Sequence, residues 1–134
     1  MSADTIRLIL FAHGSRDPRW RAPFERLAAE LSGELGPERV RLAYMEFVGP
    51  TLADVAAEAA RGGLTRLRLL PLFLSAGAHV ARDIPDQVTA ARRAHPELRI
   101  EVMEPIGEHP RFAALVREVA REAAGGGAIP PMTA

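Results

Sequence analysis

The stretch LFAHGSRDPRW, Leu10–Trp20, changes character at its third residue. Upstream, Ile6–Ala12 (IRLILFA) is an apolar run of the kind that forms a strand buried on both faces. Downstream, Asp17-Pro18 supplies a helix N-cap and a first-turn proline. Phe24, Leu27, Ala28 and Leu31 then recur at helical spacing until Gly36-Pro37 stops the helix. Between strand and helix stand His13, Gly14, Ser15 and Arg16. The stretch is therefore a strand, a polar rim and a helix start.

The same alternation continues along the chain. Val40, Leu42 and Tyr44 alternate with Arg41, Ala43 and Met45, which predicts a second strand over Arg39–Phe47. Gly49-Pro50-Thr51 opens a second helix, with Asp54 placed as in a capping box, and Gly62-Gly63 ends it. Arg66–Ser75 (RLRLLPLFLS) reads as a third strand with an irregularity at Pro71, which cannot donate to a central ladder. Ile84-Pro85 is expected to begin a third helix that carries Val88 and Ala91 and ends near His95-Pro96. Leu98–Met103 forms a fourth strand. Pro110 opens a last helix in which Phe112, Leu115, Val116, Val119 and Ala120 make one apolar stripe. Four strands, each followed by a helix, predict an α/β three-layer sandwich. Its four-stranded parallel sheet has right-handed crossovers and strand order 2-1-3-4. Residues 1–124 are expected to form this single domain and residues 125–134 a loose tail.

Composition narrows the function classes. The 134 residues suit one core, and 48% hydrophobic content supports packing. No apolar run approaches the ~20 residues that span a bilayer, and Met1–Thr5 lacks the features of a signal peptide. With no cysteine there is no disulfide, thiolate metal site or thiol nucleophile. These features fit the cytoplasm and give no reason to expect a membrane partner. Net charge is zero, which argues against a broad nucleic-acid surface. All 17 Lys+Arg positions are arginine, so Schiff-base lysine chemistry and a P-loop lysine are excluded. A GC-rich genome accounts for that arginine preference as readily as a need for bidentate contacts.

In open parallel sheets, ligands bind outside the carboxyl ends of the strands. His13 follows strand one, Glu46 ends strand two, and His79 comes just after strand three, in LSAGAHVARDIP. Two neutral imidazoles and one carboxylate suit a divalent first-row metal held with an open position. Each residue alone has a plainer reading: a loop histidine, a solvated acid, a helix-entry residue. Their joint placement on three neighbouring strand ends favours the metal reading. His95 and His109, each before a proline at a helix boundary, read as structural, as does Glu104; Trp20 reads as packing for the first helix. Asp83 suits either a partner for His79 or a helix N-cap. A histidine phosphatase would carry arginine before its nucleophilic histidine, but Ala12 stands there. Gly-x-Gly-x-x-Gly and Gly-x-Ser-x-Gly are absent too.

Three motifs carry a resemblance: AHGSRDPRW (Ala12–Trp20), YMEFVGPTL (Tyr44–Leu52) and PLFLSAGAHVARDIP (Pro71–Pro85). Together, in order and at matching spacing from Arg7 to about Val119, they resemble the sirohydrochlorin chelatases. These are the short, single-module relatives of the ATP-independent tetrapyrrole chelatases. The resemblance implies the chelatase-like fold and insertion of cobalt, iron or nickel into sirohydrochlorin or a close relative, without ATP. It implies metal ligation and proton abstraction by His13 and His79, assisted by Glu46, and pairing as a homodimer. Ser15, Arg16 and the amides that open the first helix suit a substrate carboxylate. Ser75 and Arg82 suit another. Gly14, Gly77 and Ala78 complete the expected substrate contacts, the glycines by allowing close approach or positive φ. A non-catalytic metal or tetrapyrrole carrier on the same module is the alternative reading.

Overall fold

A computed structural model describes residues 5–75 and 77–128; the side chains of residues 78–80 lie outside the described set. The elements run β1 (Ile6–Ala12), α1 (Pro18–Leu35), β2 (Val40–Tyr44), α2 (Leu52–Arg61), β3 (Arg66–Pro71), α3 (Ala78–Ala94), β4 (Arg99–Val102), a 3-10 turn (Ile106–Glu108) and α4 (Pro110–Ala124). All strand pairs are parallel, in the order β2-β1-β3-β4. β1 is therefore flanked on both sides, and Ile9, Leu10, Phe11 and Ala12 are all buried. Burying a large apolar side chain of this kind contributes about 1.5–3 kcal/mol.

The two faces of the sheet are covered unequally. Ile9 and Phe11, Ala43 and Met45, Leu67 and Leu69, and Ile100 share one face. They form the core with Leu52, Val55, Ala56 and Ala59 of α2 and Ile84, Val88 and Ala91 of α3. α1 lies over the other face at β2, and α4 lies near the carboxyl ends of β3 and β4. Neither α1 nor α4 contributes a fully buried residue. Trp20 does not pack α1 onto the sheet: it is 71% exposed.

The caps behave as their chemistry dictates. Asp17 accepts the Arg19 amide at 2.9 Å and starts α1, with Pro18 in the first turn. Thr51 and Asp54 form the reciprocal capping box of α2 at 3.1 and 2.9 Å. His109 caps α4 through Nδ1, and His95 ends α3, so both histidines have structural places.

Three boundaries differ from expectation. β2 stops at Tyr44, because residues 45–50 turn to bring Thr51 back beside Tyr44. β3 ends at Pro71 rather than continuing to Ser75. Leu72 N–H donates to Phe11 on the β1 side, so the donor missing at Pro71 faces β4, whose ladder ends with Val102 opposite Leu69. The next donor due to β4, opposite the Met103 carbonyl, is the one proline lacks, so the β3–β4 ladder stops there. α3 begins at Ala78, not at Ile84-Pro85, and Pro85 lies inside it at the loss of one intrahelical bond. Asp83 is consequently a mid-helix residue and not an N-cap; Gly77 holds that position. Of the expected tail, residues 125–128 follow α4 and residues 129–134 lie outside the described set.

Candidate active site

The central pairing of the sheet extends past the strand ends and positions the site. Met45 N–H donates to the Ala12 carbonyl at 2.8 Å, and Glu46 N–H donates to that of His13 at 3.0 Å. His13 and Glu46 are thereby held side by side at the carboxyl rim. His13 Nε2 lies 2.6 Å from Glu46 Oε1, with 47% and 35% of the two side chains exposed. The two polar atoms are within the range of a charge-assisted hydrogen bond. The pair is open to solvent on one side, so a dication or a proton donor can reach it.

Gly14 makes this approach possible. Its φ is +99°, and a Cβ built there would stand 2.1 Å from the Glu46 carbonyl oxygen. No other residue fits so tight a backbone contact in the left-handed region. Gly77 is different: φ is −66°, and among the described residues nothing lies within 4 Å of a Cβ placed there. Its backbone conformation does not require glycine.

Two phenylalanines bracket the imidazole. The rings of Phe47 and Phe73 meet His13 edge to face, at centroid distances of 5.7 and 6.5 Å. The Arg16 guanidinium lies over the Phe47 ring, 5.5 Å from its centroid. Ser15 Oγ accepts the Asp17 amide at 3.0 Å, so this hydroxyl is already engaged in shaping the rim. On the α1 side a cavity of about 260 Å³ adjoins His13, lined by Ser15, Trp20, Arg21, Phe24 and Tyr44. Burial, and then the nearby Glu25 carboxylate, holds the Tyr44 hydroxyl above its ordinary pKa. A larger groove of about 550 Å³ runs between the end of β4 and α4, along Leu70, Met103, Phe112 and Leu115, and includes neither His13 nor Glu46.

Of the three expected metal ligands, two are therefore brought together. His79 occupies the first turn of α3, and its side chain, like that of Ala78, lies outside the described residues. Among the described residues no group of three His, Asp or Glu side chains is arranged to hold a metal. Ser75 is exposed in the loop that leads to α3, as is Gly77, and Arg82 is exposed on α3. Phe47 and Phe73 are neighbours of His13 that sequence reasoning missed. The available signal was a large aromatic in EFVGP, between a strand end and Gly49-Pro50, where a plain turn would be polar.

An open parallel sheet with a histidine–carboxylate pair on its central rim defines the class: an α/β protein of the open-sheet kind, in which ligands generally bind outside the strand ends. Comparison with known proteins makes this specific. The family model described as CbiX matches residues 7–123, and the chain belongs to that family. A sirohydrochlorin cobaltochelatase of Methanopyrus kandleri is 30% identical over 141 residues, covering 90% of this chain and 98% of the relative. A CbiX protein from Marinobacter aquaeolei VT8, described as a cobalamin (vitamin B12) biosynthesis protein, superposes with a TM-score of 0.78 at 35% identity. That match covers 90% of this chain and 96% of the other. The sirohydrochlorin chelatase SirB from Bacillus subtilis subspecies spizizenii, solved in complex with cobalt, shares the fold. Its TM-score is 0.75 at 22% identity, and this chain covers 51% of it.

Proposed function

We propose that this chain inserts a divalent metal, cobalt, iron or nickel, into sirohydrochlorin or a closely related tetrapyrrole, without ATP. The observation that carries the reading is the His13–Glu46 pair, 2.6 Å apart on the central rim of a chain in the CbiX family.

Insertion needs two events: the free macrocycle loses two pyrrole N–H protons, and the metal exchanges its water ligands for ring nitrogens. The His13–Glu46 pair serves both. An imidazole beside a carboxylate can take up and pass on protons, and general acid–base transfer of this kind is worth about 10²–10⁴-fold. An imidazole nitrogen binds a metal only without its proton, so acid competes with metal for His13 Nε2. The Glu46 charge offsets the cost of holding a dication. His79, in the first turn of α3, is assigned as the third ligand. Three ligands leave positions open, so the metal can be released into the ring. Affinity alone does not select the ion, since first-row metals follow a common order.

Two copies are proposed to pair through α4. Leu115, Val116 and Val119 are 55%, 51% and 54% exposed on one stripe of that helix, beside Met103 at 40%. An exposed apolar stripe of this kind suits a partner surface.

The test mixes purified protein with sirohydrochlorin and Co²⁺, Ni²⁺ or Fe²⁺ under anaerobic conditions, without nucleotide, and follows the absorbance of the ring. Insertion faster than the protein-free rate for at least one metal is expected. Stoichiometric binding of metal or ring with no acceleration would replace the enzyme by a carrier, and no binding at all would end both readings.

A further inference from the structure

Phe47 stands where an ordinary folding requirement would not place it. Its φ is +74°, in the region that bulky side chains avoid. Val48 N–H donates to the Glu46 carbonyl at 3.0 Å, closing a three-residue γ-turn around Phe47. A γ-turn with positive φ is rare and strained. The turn is held from outside: the Glu46 amide is bonded to His13, and the Glu46 carbonyl rests against the Cα of Gly14. The conformation is thus imposed by the same backbone contacts that build the His13–Glu46 pair. What the turn achieves is to leave a phenyl ring 53% exposed, near-perpendicular to the His13 ring and with the Arg16 guanidinium over it. An apolar ring left in water on a strained backbone does nothing for stability. Ring and guanidinium together present a flat, apolar surface with one positive charge beside the imidazole. That is the complement of a flat macrocycle carrying carboxylates.

We propose that Phe47, with Arg16 laid over its ring, is the platform that receives the macrocycle beside His13. This deepens the chelatase reading and rests on it. Stacking and guanidinium contacts act on the bound ring before and during metal entry alike, so their loss raises KM more than it lowers kcat. If Phe47 only oriented His13, the split would be the reverse.

The experiment compares wild type with Phe47→Leu, Phe47→Gly, Phe47→Trp and Arg16→Ala. It measures KM and kcat for insertion, binding of metal-free sirohydrochlorin by quenching of the ring's own fluorescence, and thermal unfolding. Phe47→Leu keeps an apolar Cβ side chain without the flat ring and is expected to weaken ring binding about three- to tenfold. Phe47→Gly should weaken it as much without lowering the melting temperature, because glycine adopts positive φ freely. Phe47→Trp should restore binding. Arg16→Ala should cost less in the Phe47→Gly background than in wild type, since the two act as one surface. Unchanged ring binding in both Phe47→Leu and Phe47→Gly would overturn the inference, as would a fall in kcat at constant KM. The chelatase reading fails separately: a wild type that binds the ring but inserts no metal ends that reading and leaves the platform to be judged on the fluorescence titration.

Discussion

His13 and Glu46 are proposed to act as a pair, because their polar atoms stand 2.6 Å apart on the open rim. His13→Ala is expected to lower kcat for insertion by about a hundredfold or more, and Glu46→Gln by a smaller factor, since the amide still hydrogen-bonds but carries no charge and takes no proton. Steady-state assays with each variant check the order. Gly14 is the most demanding position beside them. Gly14→Ala meets both a 2.1 Å clash with the Glu46 carbonyl and a φ of +99°. Strain alone costs about 1–3 kcal/mol, and relief of the clash must move Glu46 away from His13. Denaturant unfolding should therefore show a loss of this size, together with lost insertion. At this scale the sequence was legible where a residue's chemistry is unusual. It named His13, Glu46 and Gly14, but not Phe47 or Phe73, because an aromatic in an apolar-rich chain announces nothing until its neighbours are known.

Helix starts were the most readable elements. Asp17-Pro18, Thr51 with Asp54, and Pro110 each form the start their chemistry predicts. The strand ends and the start of α3 were not readable, and the reason is physical. Prolines mark restrictions on the backbone without saying which side of a ladder is vacant or whether a helix will tolerate a missing bond. Pro71 ended a strand and Pro85 was absorbed into a helix. The α1 cap makes a pH prediction. The Arg19 guanidinium, and then its backbone amide, hold the Asp17 carboxyl below its ordinary value. A depressed acid adds stability that is present above its unfolded pKa and fades as pH falls through the folded one. Asp17→Asn keeps a capping oxygen but loses the charge. Its stability deficit against wild type should hold at neutral pH and shrink below about pH 4, as urea titrations across that range would show.

At the scale of the molecule, one layer is well buried and the other is not. α2 and α3 cover a continuous core, whereas α4 carries its apolar stripe in the open. If two chains pair there, Leu115→Glu combined with Val119→Glu should convert a dimer to a monomer in light scattering coupled to gel filtration, with the circular dichroism of the fold retained. A wild type that runs as a monomer at all concentrations would refute the pairing. The parallel sheet and its order were legible because alternation of strand and helix leaves few topologies. The bare second layer was not, since a helical stripe reads the same whether its own sheet or another chain covers it.

The loop after β3 has an anchor that no motif advertised. Gly107 N–H donates to the Phe73 carbonyl at 2.9 Å, and a Cβ on Gly107 would fall 1.9 Å from the Leu74 carbonyl oxygen. The turn before α4 is therefore pressed backbone to backbone against the loop that supplies one wall of the His13 ring and leads to α3. Position 107 carries no functional group, yet any larger residue there would force that loop off the rim. Across related chains it should stay glycine for as long as the loop keeps its seat. A lineage that has lost this glycine would be one whose rim was rebuilt, and the insertion chemistry with it.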